Sequence, residues 1–342
     1  MKNLQDRGGE VSDRGKRADV TTQEDERTSP VNGLRTLAAR YGVLMFLLLM
    51  VVVFSAWLPD RFATLGNFQT IVNSYAILML LAGTATLVLR TGDFDLSIAN
   101  TMVFSGAVAT VTSTNGLPLP AVLGLSIAVG VAVGAVNGFL VVKVGVGSLI
   151  VTLGMLTALG GFTFGVTGNA VVAGVPADIR AVARTQVFGI TTLTLIGWAF
   201  IALLWYVYER TPVGRHMLFV GGNPDAARLA GLPVGRIRFL TFMVSSSMAG
   251  FTGFLLAGQL GAMDPSIGPQ FLLQPFAAAF LGATTIHVGR FNAVGTLVAL
   301  YLIAVGITGL QLIGAEPWVS SVFNGGALVT AVTLARLVAR DR

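Results

Sequence analysis

The chain contains no cysteine. That excludes a disulfide framework, a thiolate nucleophile and any Cys-ligated metal or iron–sulfur centre. Histidine is nearly as scarce. The two present, His216 and His287, fall in polar connections far apart in the sequence, which is the pattern of ordinary loop residues rather than of a catalytic pair. No G-x-x-x-x-G-K-[ST] phosphate loop occurs, so the chain cannot cradle ATP by that route. Neither G-x-S-x-G nor H-E-x-x-H occurs either. Charge is also thin, at 11% of residues against about 25% in soluble domains.

What is abundant is apolar surface. Hydrophobic residues make up 54% of the chain and glycine contributes 42 of 342 residues. A soluble core cannot bury that much apolar area, because burial is limited by surface-to-volume scaling. Lipid is the alternative solvent, and glycine-rich helices suit it. The sequence therefore predicts an all-α, polytopic transmembrane helical bundle. Apolar segments lie at about 43–58, 70–90, 97–113, 119–142, 148–167, 191–209, 238–258, 271–286, 293–313 and 318–336. A spanning helix needs about 20 residues, so the short segments 97–113 and 271–286 are either spans or half-helices that enter and leave on one side.

Residues 1–40 differ from the rest: they are polar and aperiodic, with eight Lys/Arg and seven Asp/Glu. Their composition is that of a disordered cytosolic tail and not of a signal peptide. They precede a membrane domain over 41–338, and 339–342 form a second short cytosolic tail. Ten spans place both termini on one side. That side then carries 19 of the 22 Lys/Arg, including Arg90, Lys143, Arg210, Arg215, Arg228, Arg236, Arg238 and Arg290, while the other side receives Arg61, Arg180 and Arg184. By the positive-inside rule the richer side is cytosolic. Eight spans with two neighbouring re-entrant segments give the same sum.

Two sets of small residues recur every four positions, Gly130, Gly134 and Gly138, and Ala249, Gly253 and Ala257. Such spacing lets helix backbones approach closely in lipid, within one subunit or between two. Mid-span polar residues are neutral: Asn73, Ser74, Asn100, Thr101, Ser105 and Asn137. Ion-coupled carriers keep carboxylates or histidines at this depth, so these residues suit an uncharged polar solute. Asn73, Asn100 and Asn137 are candidates for a translocation path, each with the alternative of a plain interhelical hydrogen bond.

One polar connection, 210–238, spells out a short rigid helix. Asn223 is a good N-cap, Pro224 fits the first helical position, and Asp225 complements the helix dipole. Ala226, Ala227, Arg228 and Leu229 are strong helix formers. Gly231 is placed for a left-handed C-terminal cap, and Pro233 prevents continuation. Such a helix is either a tidy connection or a lever on which a separate motor protein acts.

The segment Thr211-Pro212-Val213-Gly214-Arg215 followed by Gly221-Gly222-Asn223-Pro224-Asp225-Ala226-Ala227-Arg228-Leu229-Ala230-Gly231 resembles the signature cytosolic loop of the ribose/xylose/arabinose-type ABC transporter permeases. Gly92-Asp93-Phe94-Asp95-Leu96-Ser97 is similar to that family's Gly-Gly-Ile-Asp-Leu-Ser motif. Asn137-Gly138 with Leu149-Ile150-Val151-Thr152-Leu153-Gly154-Met155 is similar to a third family region. The likeness covers about 40–338. Departures are Asp93 in place of the second motif glycine, Gly282-Ala283-Thr284-Thr285 in place of Gly-Gly-Thr-Ser, and Thr308-Gly309 in place of a late Asn-Gly.

The resemblance implies a non-enzymatic permease subunit of an ABC importer in a bacterial inner membrane, moving a sugar or similar small neutral solute. It implies three partners: a cytosolic ATPase that uses the ATP, an extracytoplasmic solute-binding protein, and a second permease copy. No cofactor is expected on this chain. Residues 223–231 would then be the ATPase-coupling helix, and Gly92, Asp95 and Ser97 a motif at the cytosolic gate. Asp95 and Ser97 have a simpler reading as helix caps, with contact to the gate or a neighbouring subunit as the alternative. A stand-alone channel or secondary carrier is the competing function. A membrane enzyme fits poorly, because no paired carboxylates or histidines converge within the spans.

Overall fold

The computed structural model describes residues 30–340, with side chains over 40–333 apart from residue 331. The tail expected over 1–40 lies outside the described residues up to position 29. The first helix begins within it, at Pro30.

The described chain is helical, with four two-residue strands. The helices are α1 (Pro30–Trp57), α2 (Leu65–Ser74), α3 (Ala76–Arg90), α4 (Ile98–Thr114), α5 (Leu119–Gly138), α6 (Ser148–Thr167), α7 (Ala177–Arg184), α8 (Thr192–Arg210), α9 (Pro212–Gly222), α10 (Pro224–Leu229), α11 (Val234–Leu260), α12 (Leu273–Gly282), α13 (Ala293–Leu312) and α14 (Pro317–Arg340). A π-helical turn, Phe139–Val144, extends α5. Strand β1 (Val172–Ala173) pairs antiparallel with β4 (Ala262–Met263), and β2 (Gln186–Val187) with β3 (Ile190–Thr191).

Among the described residues, six helices are long and apolar enough to cross a membrane: the 40–57 part of α1, α5 with its π-turn, α6, α8, α11 and α13. Helices α2 and α3 together form a seventh candidate, bent by 43° at Tyr75. The segment read as one span over 70–90 is thus two helices. The two segments flagged as short diverge. Helix α4, at 17 residues, is about 25 Å long. Helix α12, at 10 residues, is about 15 Å, half the hydrocarbon core. It stops at Gly282, where Asn292 Nδ2 donates to the Gly282 carbonyl at 3.0 Å and to those of Thr285 and Arg290 at 3.1 Å. Asn292 Oδ1 also accepts from Gly295 N, capping α13.

Helix α3 is the axis of the bundle: all its residues from Ala76 to Arg90 are buried. Its sequence is apolar on every side, which is what a helix without a solvent face requires. The two small-residue stripes pack within the subunit. A Cβ added at Gly130 or Gly134 would collide with the α11 backbone at Ser246 or Phe242, and one at Gly253 with the α4 backbone at Met102. Helix α11 therefore lies in close backbone contact between α5 and α4.

Polar contacts sort the chain into two ends. At one, Arg90 bonds to carbonyls of Tyr208, Gly214 and Phe291, so the connections carrying Arg210, Arg215 and Arg290 meet. At the other, Asn73 bonds to Gly189 and Thr191, and Arg184 Nε donates to the Gln259 carbonyl at 2.8 Å.

Candidate functional site

The Arg90 end carries the motif residues. Helix α10 occupies the position read from its caps. Asn223 Oδ1 accepts from Asp225 N at 3.1 Å and Ala226 N at 3.0 Å, and Pro224 opens the helix. Gly231 has φ +81°. Leu232 N donates to the Ala227 carbonyl at 3.0 Å and Gly231 N to the Arg228 carbonyl at 2.9 Å, the paired bonds of a Schellman cap. The helix has two unlike faces. Ala227 is fully buried and packs with Val220 and Val234, while Leu229 is 91% exposed. Arg228 pairs with its own neighbour Asp225 at 2.7 Å, with both side chains mostly exposed.

A second helix, α9, leads into it, where the sequence reading placed only one. The local signal repeats that of α10: Thr211 Oγ1 accepts from Gly214 N, and Pro212 takes the first position. Gly221, at the end of α9, lies on the main chain of the 91–97 turn. A Cβ there would strike the Arg90 carbonyl and come within 3.1 Å of Gly92 N. Gly92 itself has φ +84°, a conformation that favours glycine. Two motifs separated by more than a hundred residues thus meet backbone to backbone.

The 91–97 turn is held by two polar constellations. Asp93, 3% exposed, receives a bidentate bond from Arg238 at the start of α11: Nε to Oδ2 at 2.7 Å and Nη2 to Oδ1 at 2.6 Å. Fork-on-fork geometry of this kind is among the stronger charge pairings. Asp95 is fully enclosed. Its Oδ1 accepts from Ser97 N at 3.0 Å and Ser97 Oγ at 2.5 Å, and its Oδ2 from Ser246 Oγ at 3.4 Å. Burial pushes its carboxyl up to about 6, against the opposing pull of the Ser97 and Ser246 bonds. Asp95 thus caps the entry to α4. Ser97 serves as its donor and in turn accepts from Asn137 Nδ2 at 2.9 Å.

In the sequence Arg90 is only one positive charge at the end of an apolar run; in the fold it is buried. Its buried guanidinium donates to three carbonyls, the shortest to Phe291 at 2.6 Å, and stacks over the Tyr208 ring at 4.3 Å. It locks α3 to the α8–α9 corner and to the connection before α13. An Arg at the end of an apolar span, with a Tyr near the end of another, is the one sequence signal that pointed to this junction.

The three candidate path asparagines do not converge. Asn73 sits at the opposite end, where its Oδ1 accepts from Thr191 N at 2.9 Å and Thr194 Oγ1 at 2.9 Å, and its Nδ2 donates to Gly189. Asn137 is fully buried beside Ser97, with its Oδ1 unpartnered. Asn100 is half-buried on α4 and donates to the Leu156 carbonyl of α6 at 2.7 Å. His287 lies 3.8 Å from Glu209, and no cluster of three metal-ligating side chains exists among the described residues.

A bundle of apolar helices, six of them among the described residues long enough to cross a bilayer, defines a multi-pass membrane protein. Residues 67–332 match the family described as branched-chain amino acid transport system / permease component. The chain is similar to the L-arabinose ABC transporter permease protein AraH of Azospirillum brasilense, at 31% identity over 312 residues covering 88% of each protein. It is also similar to the ribose import permease protein RbsC of Escherichia coli (strain K12), at 29% identity over 84% of this chain and 91% of the relative. The autoinducer 2 import system permease protein LsrD of Yersinia pestis (strain Pestoides F) is 26% identical over 86% of this chain and 92% of its own length. No solved structure matches the chain. The chain belongs to this permease family: it is the membrane permease subunit of an ABC importer, a transport subunit and not an enzyme.

Proposed function

We propose that this permease imports a sugar or similar small neutral polar solute into the cytoplasm across a bacterial inner membrane. A separate cytosolic ATPase supplies the energy. An extracytoplasmic binding protein delivers the solute, and a second permease copy, identical or paralogous, completes the pathway. Relatives named for arabinose, ribose and autoinducer 2 support the solute class. The gathering of Arg90, Arg210, Arg215 and Arg290 at one end supports ten passes with both termini cytosolic. In that arrangement residues 262–271, β4 and the 3-10 turn Gly268–Phe271, complete the pass that α12 ends.

The observation that carries the coupling role is the two-faced helix α10. Ala227 ties it to the bundle, and Leu229 and Arg228 face outward as a docking knob. A push on that knob reaches α3 and α4 through the Gly221–Gly92 contact and α11 through Val234. Asn100, half-buried between α4 and α6, is the path residue this reading favours. Asn73 and Asn137 act as braces.

The test is the double variant Arg228→Glu with Leu229→Glu, co-expressed with the ATPase. Substituting Ala227 instead would damage the fold, because that side chain is enclosed. Uptake of labelled arabinose or ribose and co-purification of the ATPase should both fall to background, while the thermal midpoint in detergent holds. Wild-type uptake in the double variant would overturn the coupling assignment.

A further inference from the structure

A second feature of the Arg90 end borders the proposed coupling path and shares Arg228 and Val234 with it. Below α10, the π-turn Phe139–Val144 and the first turns of α11 enclose a pocket of about 540 Å³. Three cations line it, Lys143, Arg228 and Arg236, and no carboxylate does. Among the described residues, neither Lys143 nor Arg236 pairs with an acid, and Arg228 holds only the exposed Asp225. The remaining wall is apolar, built from Phe139, Val142 and Phe239.

The wall is closely packed at its base. Gly138 lies against the Phe239 ring, and a Cβ at Gly235 would stand 3.3 Å from Val142 Cγ1, so the π-turn and α11 are in direct contact at its base. On the two helices that form it, Phe139, Val144, Leu240 and Val244 are each at least half exposed. These apolar side chains belong to candidate spans; the cations sit where those spans end. A π-turn is itself a local departure from α-helix that is frequent at functional sites. Here it places Phe139 and Lys143 on one pocket.

We infer that this pocket binds one anionic phospholipid, its phosphate among Lys143, Arg228 and Arg236 and its upper acyl chain along Phe139, Val142 and Phe239. A basic pocket between helices at the membrane boundary has the chemistry for such a headgroup. A carboxylate of a docked protein would need the cations and not the apolar wall; a phospholipid uses both.

The test uses the full chain purified in detergent and titrated with phosphatidylglycerol or phosphatidylcholine, with bound lipid counted by native mass spectrometry. Phosphatidylglycerol should bind as a single tight equivalent and phosphatidylcholine should not. Lys143→Gln with Arg236→Gln should weaken phosphatidylglycerol binding about 25-fold, about fivefold per cation. Lys143→Arg with Arg236→Lys should retain it. Equal melting of all three proteins in phosphatidylcholine micelles separates loss of the site from loss of fold. Equal affinity for the two lipids overturns the inference. So does a double-Gln variant that keeps phosphatidylglycerol but fails to co-purify the ATPase, which would give the cations to the motor protein.

Discussion

Gly221 at the end of α9 rests on Gly92 in the turn before α4, with the Gly221 carbonyl 3.3 Å from the place a Gly92 Cβ would take. Neither residue can carry a side chain: Gly92 has φ +84°, and a Cβ on Gly221 would strike the Arg90 carbonyl. The contact thus joins the helix leading into α10 to the turn before α4 at main-chain level, the link that the proposed coupling role requires. Gly221→Ala should cost about 1–3 kcal/mol from overpacking and should lower solute uptake more than it lowers protein level. Gly222→Ala is the control, since a Cβ there meets nothing within 4 Å. It should leave both unchanged in whole-cell uptake and detergent melting.

Asp93 and Arg238 give the second prediction. The family motif that this segment resembles has glycine where this chain has Asp93, and here Arg238 pairs with that carboxylate at 2.6 Å. Asp93→Gly should therefore destabilise by about 3–5 kcal/mol, because it leaves a half-buried guanidinium without its partner. Asp93→Gly combined with Arg238→Gln should recover a large part of that loss. A double-mutant cycle on thermal stability checks this; strictly additive effects would show that the pair does not interact.

These pairings mark the limit of what the sequence disclosed. Helix α6 and the caps of α10 were legible because their signals are local: an unbroken apolar run, then Asn-Pro at one end and Gly at the other. Helix α9 carries the same Thr-Pro signal, but an 11-residue helix at a charged junction has no spanning hydropathy to set it apart from loop. The stop of α12 at Gly282 was hidden, since Ala283 and Ile286 continue the apolar count and the true terminator, Asn292, acts from ten residues downstream. The bend at Tyr75 has no proline or glycine beside it and is set by Asn73 reaching to Gly189. Asp93 and Arg238 lie 145 positions apart, a separation that no local pattern spans. Arg90 could be counted as a charge, but its three carbonyl partners come from elements that only folding brings together.

Asp95 predicts a pH dependence. Its carboxyl is pushed up to about 6 from its ordinary 3.8 by burial. A group raised in the folded state contributes stability that is full below its unfolded value and lost as pH rises through the folded one. The detergent-solubilised protein should therefore lose up to about 3 kcal/mol between pH 4 and pH 7 from this group. Asp95→Asn should flatten that slope in melting curves recorded across the interval. An unchanged slope in the variant would remove Asp95 as its source.

The hairpin at the opposite end offers the fourth prediction. Strands β2 and β3 are joined by Phe188 and Gly189, with φ +52° and +80°. A two-residue hairpin with both central residues at positive φ favours Asn-Gly, and a bulky residue there is strained. Phe188 is also 96% exposed, so its ring contributes no packing to offset the strain. Its carbonyl accepts from Gln69 Nε2 at 3.2 Å, a bond any residue at that position keeps. Phe188→Asn should therefore raise stability by about 1 kcal/mol, while Gly189→Ala should lower it, since φ +80° favours glycine. Melting midpoints of the two variants test the strain. If Phe188→Asn keeps or gains stability and yet loses solute uptake, the exposed ring is held in that strained position for contact outside this chain.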